Sequence, residues 1–140
     1  RRQAENLLSM FYESNYWKNF VETIIKLCSK KKEIRIVNDQ LGRPTYTKDL
    51  SKGIIDIVKN INKYESGIYH ITNDGKCSWF EFAQEIKRLK KLGCAIKPCT
   101  TEEFPRSAER PRFSLLNNNK TEKLRDWKEA LREYLERWKE

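Results

Sequence analysis

Ser78-Trp79-Phe80-Glu81-Phe82-Ala83-Gln84-Glu85-Ile86-Lys87-Arg88-Leu89-Lys90-Lys91-Leu92-Gly93-Cys94-Ala95-Ile96-Lys97-Pro98-Cys99 is the stretch that decides the fold class. Apolar residues recur at three- and four-residue spacing from Trp79 onward, which predicts a helix over 79–91. Ser78 followed three residues later by Glu81 is a capping box. Gly93 is expected to end the helix. Ala95 to Cys99 then reads as a short strand, so the stretch is a helix feeding a strand.

The same alternation extends outward. Upstream, Ile34-Arg35-Ile36-Val37 and Gly67-Ile68-Tyr69-His70-Ile71-Thr72 read as strands. Between them lies a helix with Leu50, Ile54, Ile55, Ile57 and Val58, with Thr47 as its cap and Asp49 in its first turn. Asn38 to Pro44 and Asn73-Asp74-Gly75 are turns by composition. Residues 3–29 carry helical spacing through Leu7, Leu8, Phe11, Trp17, Phe20, Val21, Ile24, Ile25 and Cys28, with Ser14-Asn15 as an interruption or a second cap. Residues 100–120 are irregular apart from an extended Phe113-Ser114-Leu115-Leu116. Residues 122–139 form a last amphipathic helix. The expected fold is α/β: a small sheet of about three strands with helices. Ile34, Ile36, Leu50, Ile54, Ile57, Ile68, Ile71, Phe82, Ile86, Leu131 and Leu135 are the expected core, and His70 reads as a packed strand residue.

The chain has 140 residues, enough for one core, and begins with Arg rather than Met, so it is expected to be a fragment, a processed product or an engineered chain. The net charge of +9 is spread over both halves. It reads first as a solvated surface, with an anionic ligand as the alternative and no nucleic-acid partner expected. No apolar run is long enough for a membrane span, and no leader peptide is evident at the start. Cys28, Cys77, Cys94 and Cys99 form no CxxC pair, so they are taken as apolar fillers of a reduced, cytoplasmic protein rather than as zinc ligands.

The sequence lacks GxGxxG, GxxxxGK[ST] and HExxH, and no Tyr is followed four residues on by Lys. Three blocks carry a resemblance instead. Asp39-Gln40-Leu41-Gly42-Arg43-Pro44-Thr45-Tyr46, followed by Asp49-Leu50, resembles the DQxGxPTyxxDLA segment of dTDP-4-dehydrorhamnose reductases. Gly67-Ile68-Tyr69-His70-Ile71, Gly75 and Ser78 to Ala83 resemble that family's GxYHxxxxGxxSWyeFAxxI. Thr101-Glu102-Glu103-Phe104-Pro105-Arg106-Ser107-Ala108-Glu109-Arg110-Pro111 to Leu116 resembles TEEFPxPAxRPxxSxL, with Ser107 where the family usually has Pro. Asn19-Phe20-Val21 and Trp127 to Leu131 match as well.

The resemblance implies the carboxy-terminal, substrate-binding half of an extended short-chain dehydrogenase. In the parent enzymes this half closes the sugar-nucleotide site against a Rossmann half that holds NADH or NADPH and the Thr/Tyr/Lys catalytic set. The parent reaction is reduction of dTDP-4-dehydrorhamnose to dTDP-rhamnose. This chain carries no cofactor site and is expected to be catalytically inactive, binding a dTDP-sugar at most. Some members use a metal, Mg, at a dimer contact through Glu side chains; no Glu here matches that role and no metal is assigned.

By the same resemblance, Arg110 would contact a diphosphate or make a structural salt bridge. Arg43 and Tyr46 would face the pocket or simply belong to the turn. Trp79 would stack on a base or sugar or serve as a packing wedge. Residues 1–18 are read as a helix outside the family, ahead of a domain at 19–140. That helix suggests a second function: an engineered scaffold or protein-interaction module. There Leu7, Leu8 and Phe11 would pack on the lobe and cover its exposed face. Met10, Phe11, Tyr12, Tyr16 and Trp17 are the candidate surface for a protein partner.

Overall fold

The computed structural model describes residues 19–104, 108 and 110–137, together with the backbone of residues 11–12. The elements are β1 (Phe11–Tyr12), α1 (Phe20–Lys30), β2 (Glu33–Val37), β3 (Leu41–Gly42), β4 (Thr45–Tyr46), α2 (Thr47–Lys59), a 3-10 turn at Ile61–Lys63, β5 (Cys77–Ser78), α3 (Trp79–Lys90), β6 (Ala95–Cys99), β7 (Phe113–Ser114) and α4 (Trp127–Arg137). The strands form three small sheets. β2 and β6 run parallel with Ile34 opposite Ile96. β3 is flanked by antiparallel β5 and parallel β7. β1 runs parallel to β4, with Phe11 opposite Thr45 and Tyr12 opposite Tyr46.

The architecture is thus α/β, with the sheet divided rather than continuous. Phe11–Tyr12 is a strand and not part of a helix, because its backbone pairs with a segment distant in sequence, which local spacing cannot report. The remainder of the expected helix at 3–18, including Leu7, Leu8 and the side chains of Met10, Phe11, Tyr12, Tyr16 and Trp17, lies outside the described residues.

α3 is the hub. It packs against α1, α4, β2, β5 and β6. Its start is set by the capping box: Glu81 N donates to Ser78 Oγ at 3.0 Å, and Ser78 N donates to Glu81 Oε2 at 2.7 Å. Its end is set by Lys91 in the left-handed conformation, φ 51°, rather than by Gly93. Phe82, Ala83 and Ile86 are fully buried. Phe82 stacks on Phe20 and meets Trp127 edge-on, centroids 5.4 and 5.5 Å apart. Such pairs add roughly 0.5–1.5 kcal/mol beyond burial.

α1 starts at Asn19, whose Oδ1 accepts from Glu22 N at 2.9 Å. The helix that follows β4 starts at Thr47, with Tyr46 in the cap position and no side-chain cap bond. Tyr46 N donates instead to Asn73 Oδ1 at 2.8 Å, so a distant Asn performs the service expected of Thr47. Gly75, at φ +82°, turns the chain so that Asp74 and Asp126 form a bridge; a Cβ there would also approach Trp127 to 2.8 Å.

Two expectations fail together. Residues 67–72 form no strand: Gly67 lies in a bend, and the residues after it pair with no strand of the described residues. Ile54 and Ile68 are exposed, and Ile36, Leu50, Ile57 and Ile71 are half-buried; His70 is exposed rather than packed. The four cysteines are free and buried.

Candidate functional site

The blocks picked out by sequence meet at one edge of the fold. Asn38 and Ser78 are joined side chain to side chain, the Ser78 hydroxyl donating to Asn38 Oδ1 at 2.7 Å. The Asp39 carboxylate accepts from Thr101 N at 3.0 and 3.1 Å and from Thr101 Oγ1 at 2.7 Å, across 62 residues of sequence. Those bonds stabilise the charged form, so the Asp39 carboxyl is held below its ordinary value. Gln40, 8% exposed, donates to the same Thr101 hydroxyl at 3.0 Å. Leu41 N donates to Arg112 O at 2.8 Å and continues the β3–β7 ladder. The turn at 38–42 is therefore fastened at both ends of the segment that carries Arg110.

Arg43 follows this turn. Its Nη1 donates to Asn118 Oδ1 at 3.3 Å, and Asn118 Nδ2 donates to Thr72 O at 3.0 Å. Arg43 Nε is buried and has no hydrogen-bond partner among the described residues. A buried guanidinium N–H without an acceptor costs about 1–3 kcal/mol, which an anionic oxygen would remove. Arg110 is half-buried on the same segment, with Arg112 beyond it exposed. The neighbouring turn is held by an ion pair between Arg35 and Glu103, whose carboxylate also accepts from Thr100 N at 2.8 Å.

The other two candidates turn inward. Tyr46 is 3% exposed, and its ring meets Tyr134 edge-on at 5.8 Å, so its side chain is core and not open to a ligand. Trp79 is half-buried against Phe20, with centroids 4.7 Å apart. Sequence reasoning missed Asn118 and Asn73. Asn118 lies in an Asn117-Asn118-Asn119 run that reads as plain loop. Asn73 is fully buried and, besides capping α2, donates to Asp49 Oδ2 at 2.9 Å; composition reported only a turn.

A Cβ on Gly53 would meet Ile71 at 2.8 Å and one on Gly75 would meet Asp126 and Trp127, so these close approaches are filled by the protein itself. Among the described residues no group of three or more His, Cys, Asp or Glu side chains could hold a metal, and no helix is long and apolar enough to cross a membrane.

An α/β lobe with divided sheets, a fastened turn and an arginine-bearing loop is the substrate-side part of a Rossmann-type reductase. The chain belongs to the RmlD substrate binding domain family, whose model matches residues 8–140. Residues 8–18, read above as outside the resemblance, fall within that stretch. A dTDP-4-dehydrorhamnose reductase from Clostridium acetobutylicum superposes with a TM-score of 0.83 at 40% identity, over 91% of this chain and 45% of that one. The Bacillus anthracis dTDP-4-dehydrorhamnose reductase in complex with NADP gives 0.81 at 36% identity, over 92% and 46%. The spore coat polysaccharide biosynthesis protein SpsK of Bacillus subtilis is 46% identical over 122 residues, 84% of this chain and 42% of SpsK. The chain thus spans less than half the length of these relatives.

Proposed function

We propose that this chain is the sugar-nucleotide-side lobe of an NAD(P)H-dependent reductase of the dTDP-4-dehydrorhamnose type, and that alone it binds a dTDP-sugar without reducing it. The observation that carries the reading is Arg43: a guanidinium anchored through Asn118, with its buried Nε lacking an acceptor, beside the segment that bears Arg110. A guanidinium presents paired N–H groups that match phosphate oxygens. Arg110 would contact the same diphosphate. Ketone reduction needs a hydride donor and a proton donor held together, and no Tyr of this sequence is followed four residues on by Lys. The four buried thiols suit a reducing, cytoplasmic compartment.

An NMR titration with dTDP tests this. Shifts should centre on Arg43 and Arg110, and Arg43→Gln should weaken binding about tenfold or more, since a charge-assisted hydrogen bond is worth roughly 1.5–3 kcal/mol. A titration that leaves both arginines unmoved defeats the proposal. The isolated chain should not oxidise NADH or NADPH with a dTDP-4-keto sugar; turnover above background defeats its non-catalytic part.

A further inference from the structure

Two of the four buried thiols lie against each other. The inward stripe of α1 runs through Val21, Ile24, Ile25 and Cys28, so Cys28 closes the buried face in the helix's last turn. Lys31 N donates to Leu27 O at 2.9 Å, so the helix is still wound at Cys28. The chain then passes straight into β2. Ala95 N donates to Lys32 O at 2.8 Å, at the head of the ladder that sets Glu33 opposite Ala95. That bond brings Cys94, at the entry to β6, beside the exit of α1. Both side chains belong to one core cluster, Cys28 at 9% exposure and Cys94 at 3%. Cys94 Sγ donates to Ala95 O at 3.5 Å. Its sulfur is then the acceptor for the Cys28 thiol, and the two are hydrogen-bonded.

Burial, and after it the bond to Cys94, push the Cys28 thiol up to about 12, with the Lys87 ammonium opposing them. A thiol held protonated is a poor nucleophile, so the pair persists as a dithiol in the closed fold and reacts when the end of α1 opens. The other two cysteines are placed differently. Cys77 has Glu81, Lys128 and Asp126 around it, and Cys99 has Arg35, Glu103 and Asp39; no second sulfur acts on either. An apolar core is also suited to the oxidised pair. Two thiols bring two weak donors into it, and a disulfide brings none. The bond would tie the exit of α1 to the entry of β6, positions far apart in sequence, which restricts the unfolded chain strongly.

We infer that Cys28 and Cys94 form a redox site, a dithiol that a low-molecular-weight disulfide such as glutathione disulfide converts to an intramolecular disulfide stapling α1 to β6. One cysteine, as thiolate, attacks a sulfur of glutathione disulfide; the S–S bond breaks and one glutathione leaves as thiolate. The other cysteine attacks the protein sulfur of this mixed disulfide, and the second glutathione leaves. The protons of the two protein thiols end on the two glutathiones. The protein gives up two electrons, and the glutathione disulfide takes them. The site stands independently of the reductase reading.

The test uses the 140-residue chain with its own cysteines. The chain is brought to equilibrium with excess glutathione disulfide, quenched with acid, unfolded and treated with N-ethylmaleimide, and its peptides are weighed. Two thiols should be lost, with Cys28 joined to Cys94, while Cys77 and Cys99 carry the maleimide. The oxidised chain should melt higher by about 5 °C or more, and dithiothreitol should restore both the mass and the melting point. Cys28→Ala and Cys94→Ala should each abolish the bond and the oxidant-induced rise; Cys77→Ala and Cys99→Ala should keep both. Where an alanine variant fails to fold, the peptide map of the unaltered chain decides alone. Four free thiols at equilibrium overturn the site, as does a bond between any other pair. Glutathione left on Cys28 or Cys94 without closure overturns it as well. So does a bond between Cys28 and Cys94 that forms only in urea or lowers the melting point, because the native packing would then not hold the two sulfurs within bonding reach.

Discussion

α2 and α3 are both amphipathic helices of similar length, and the molecule uses them in opposite ways. α3 turns Phe82, Ala83 and Ile86 into the core and leaves Glu81, Arg88 and Lys91 in water. α2 has one buried residue, and it is Asp49; its Ile54, Ile55 and Val58 are exposed. α3 is held by apolar packing on five elements, whereas α2 has its broadest contact with β4 at its own start. Periodicity establishes that a face is built to be covered. It does not establish by what, and α2 shows the two questions coming apart within one small lobe.

The largest expected effect tests that contrast directly. Phe82→Ala should destabilise the chain by about 3–5 kcal/mol, because it empties a site ringed by Phe20 and Trp127. Val58→Ala should change stability by no more than about 0.5 kcal/mol, as at an ordinary surface position. Urea unfolding of both variants measures the pair. A Val58→Ala loss comparable to that of Phe82→Ala would mean α2 is packed in solution and the contrast does not hold.

A smaller effect concerns how α2 is attached. Asp49, 4% exposed, accepts from Arg125 Nε at 2.8 Å and Nη2 at 3.0 Å and from Asn73 Nδ2 at 2.9 Å. Asp49→Ala should cost about 2–3 kcal/mol, because it takes the acceptor from three donor atoms of two buried or part-buried side chains at once. Asn73 also caps α2 through Tyr46 N, so amide exchange over residues 47–50 should quicken in that variant while exchange in α3 stays slow. Unchanged exchange at 47–50 would mean the anchor of α2 lies elsewhere.

How far these features could be read from sequence follows from the distance between partners. The capping box of α3 and the strands β2 and β6 are local and were legible, as was the burial of Phe82, Ile86, Leu131 and Leu135. The fastening of Asp39 to Thr101 joins positions 62 residues apart, and no local pattern announces it. The same holds for β1, whose pairing with β4 overrides the helical spacing at Phe11, and for Tyr46, whose place in a motif gave no hint that its ring meets Tyr134. Ile54 and Ile68 were assigned to the core because apolarity was equated with burial inside the lobe. The arginine-bearing segment was found through family motifs, while Asn118 and Asn73 were missed because a buried Asn and a loop Asn look alike in sequence.

The smallest effect separates polar from apolar attachment by pH. Glu133 on α4 pairs with Lys48 at the start of α2 and with Arg125 Nη1 at 2.7 Å. Hydrogen bonds from Lys48 and then Arg125 lower its carboxyl to about 2. A carboxyl whose folded value lies below its unfolded value, ordinarily near ~4.3, stabilises the fold at pH values above the unfolded value. That contribution is lost as pH falls toward 2. The melting temperature of the chain should therefore drop between about pH 5 and pH 2. Glu133→Gln should remove part of that drop while lowering stability at pH 7. Part of the slope should survive, since Asp39, Glu85 and Glu103 are lowered as well. Salt should weaken the Glu133 contribution, because Lys48, Arg125 and Glu133 are all partly exposed. The packing of α3 carries no titrating group at Phe82 or Ile86, so amide exchange in α3 should follow global unfolding at every pH. Exchange at residues 47–50 should quicken first as the pH falls. A Glu133→Gln variant with the full wild-type slope between pH 5 and 2 would show that the ion pairs joining α2 to α4 do not hold α2 in place.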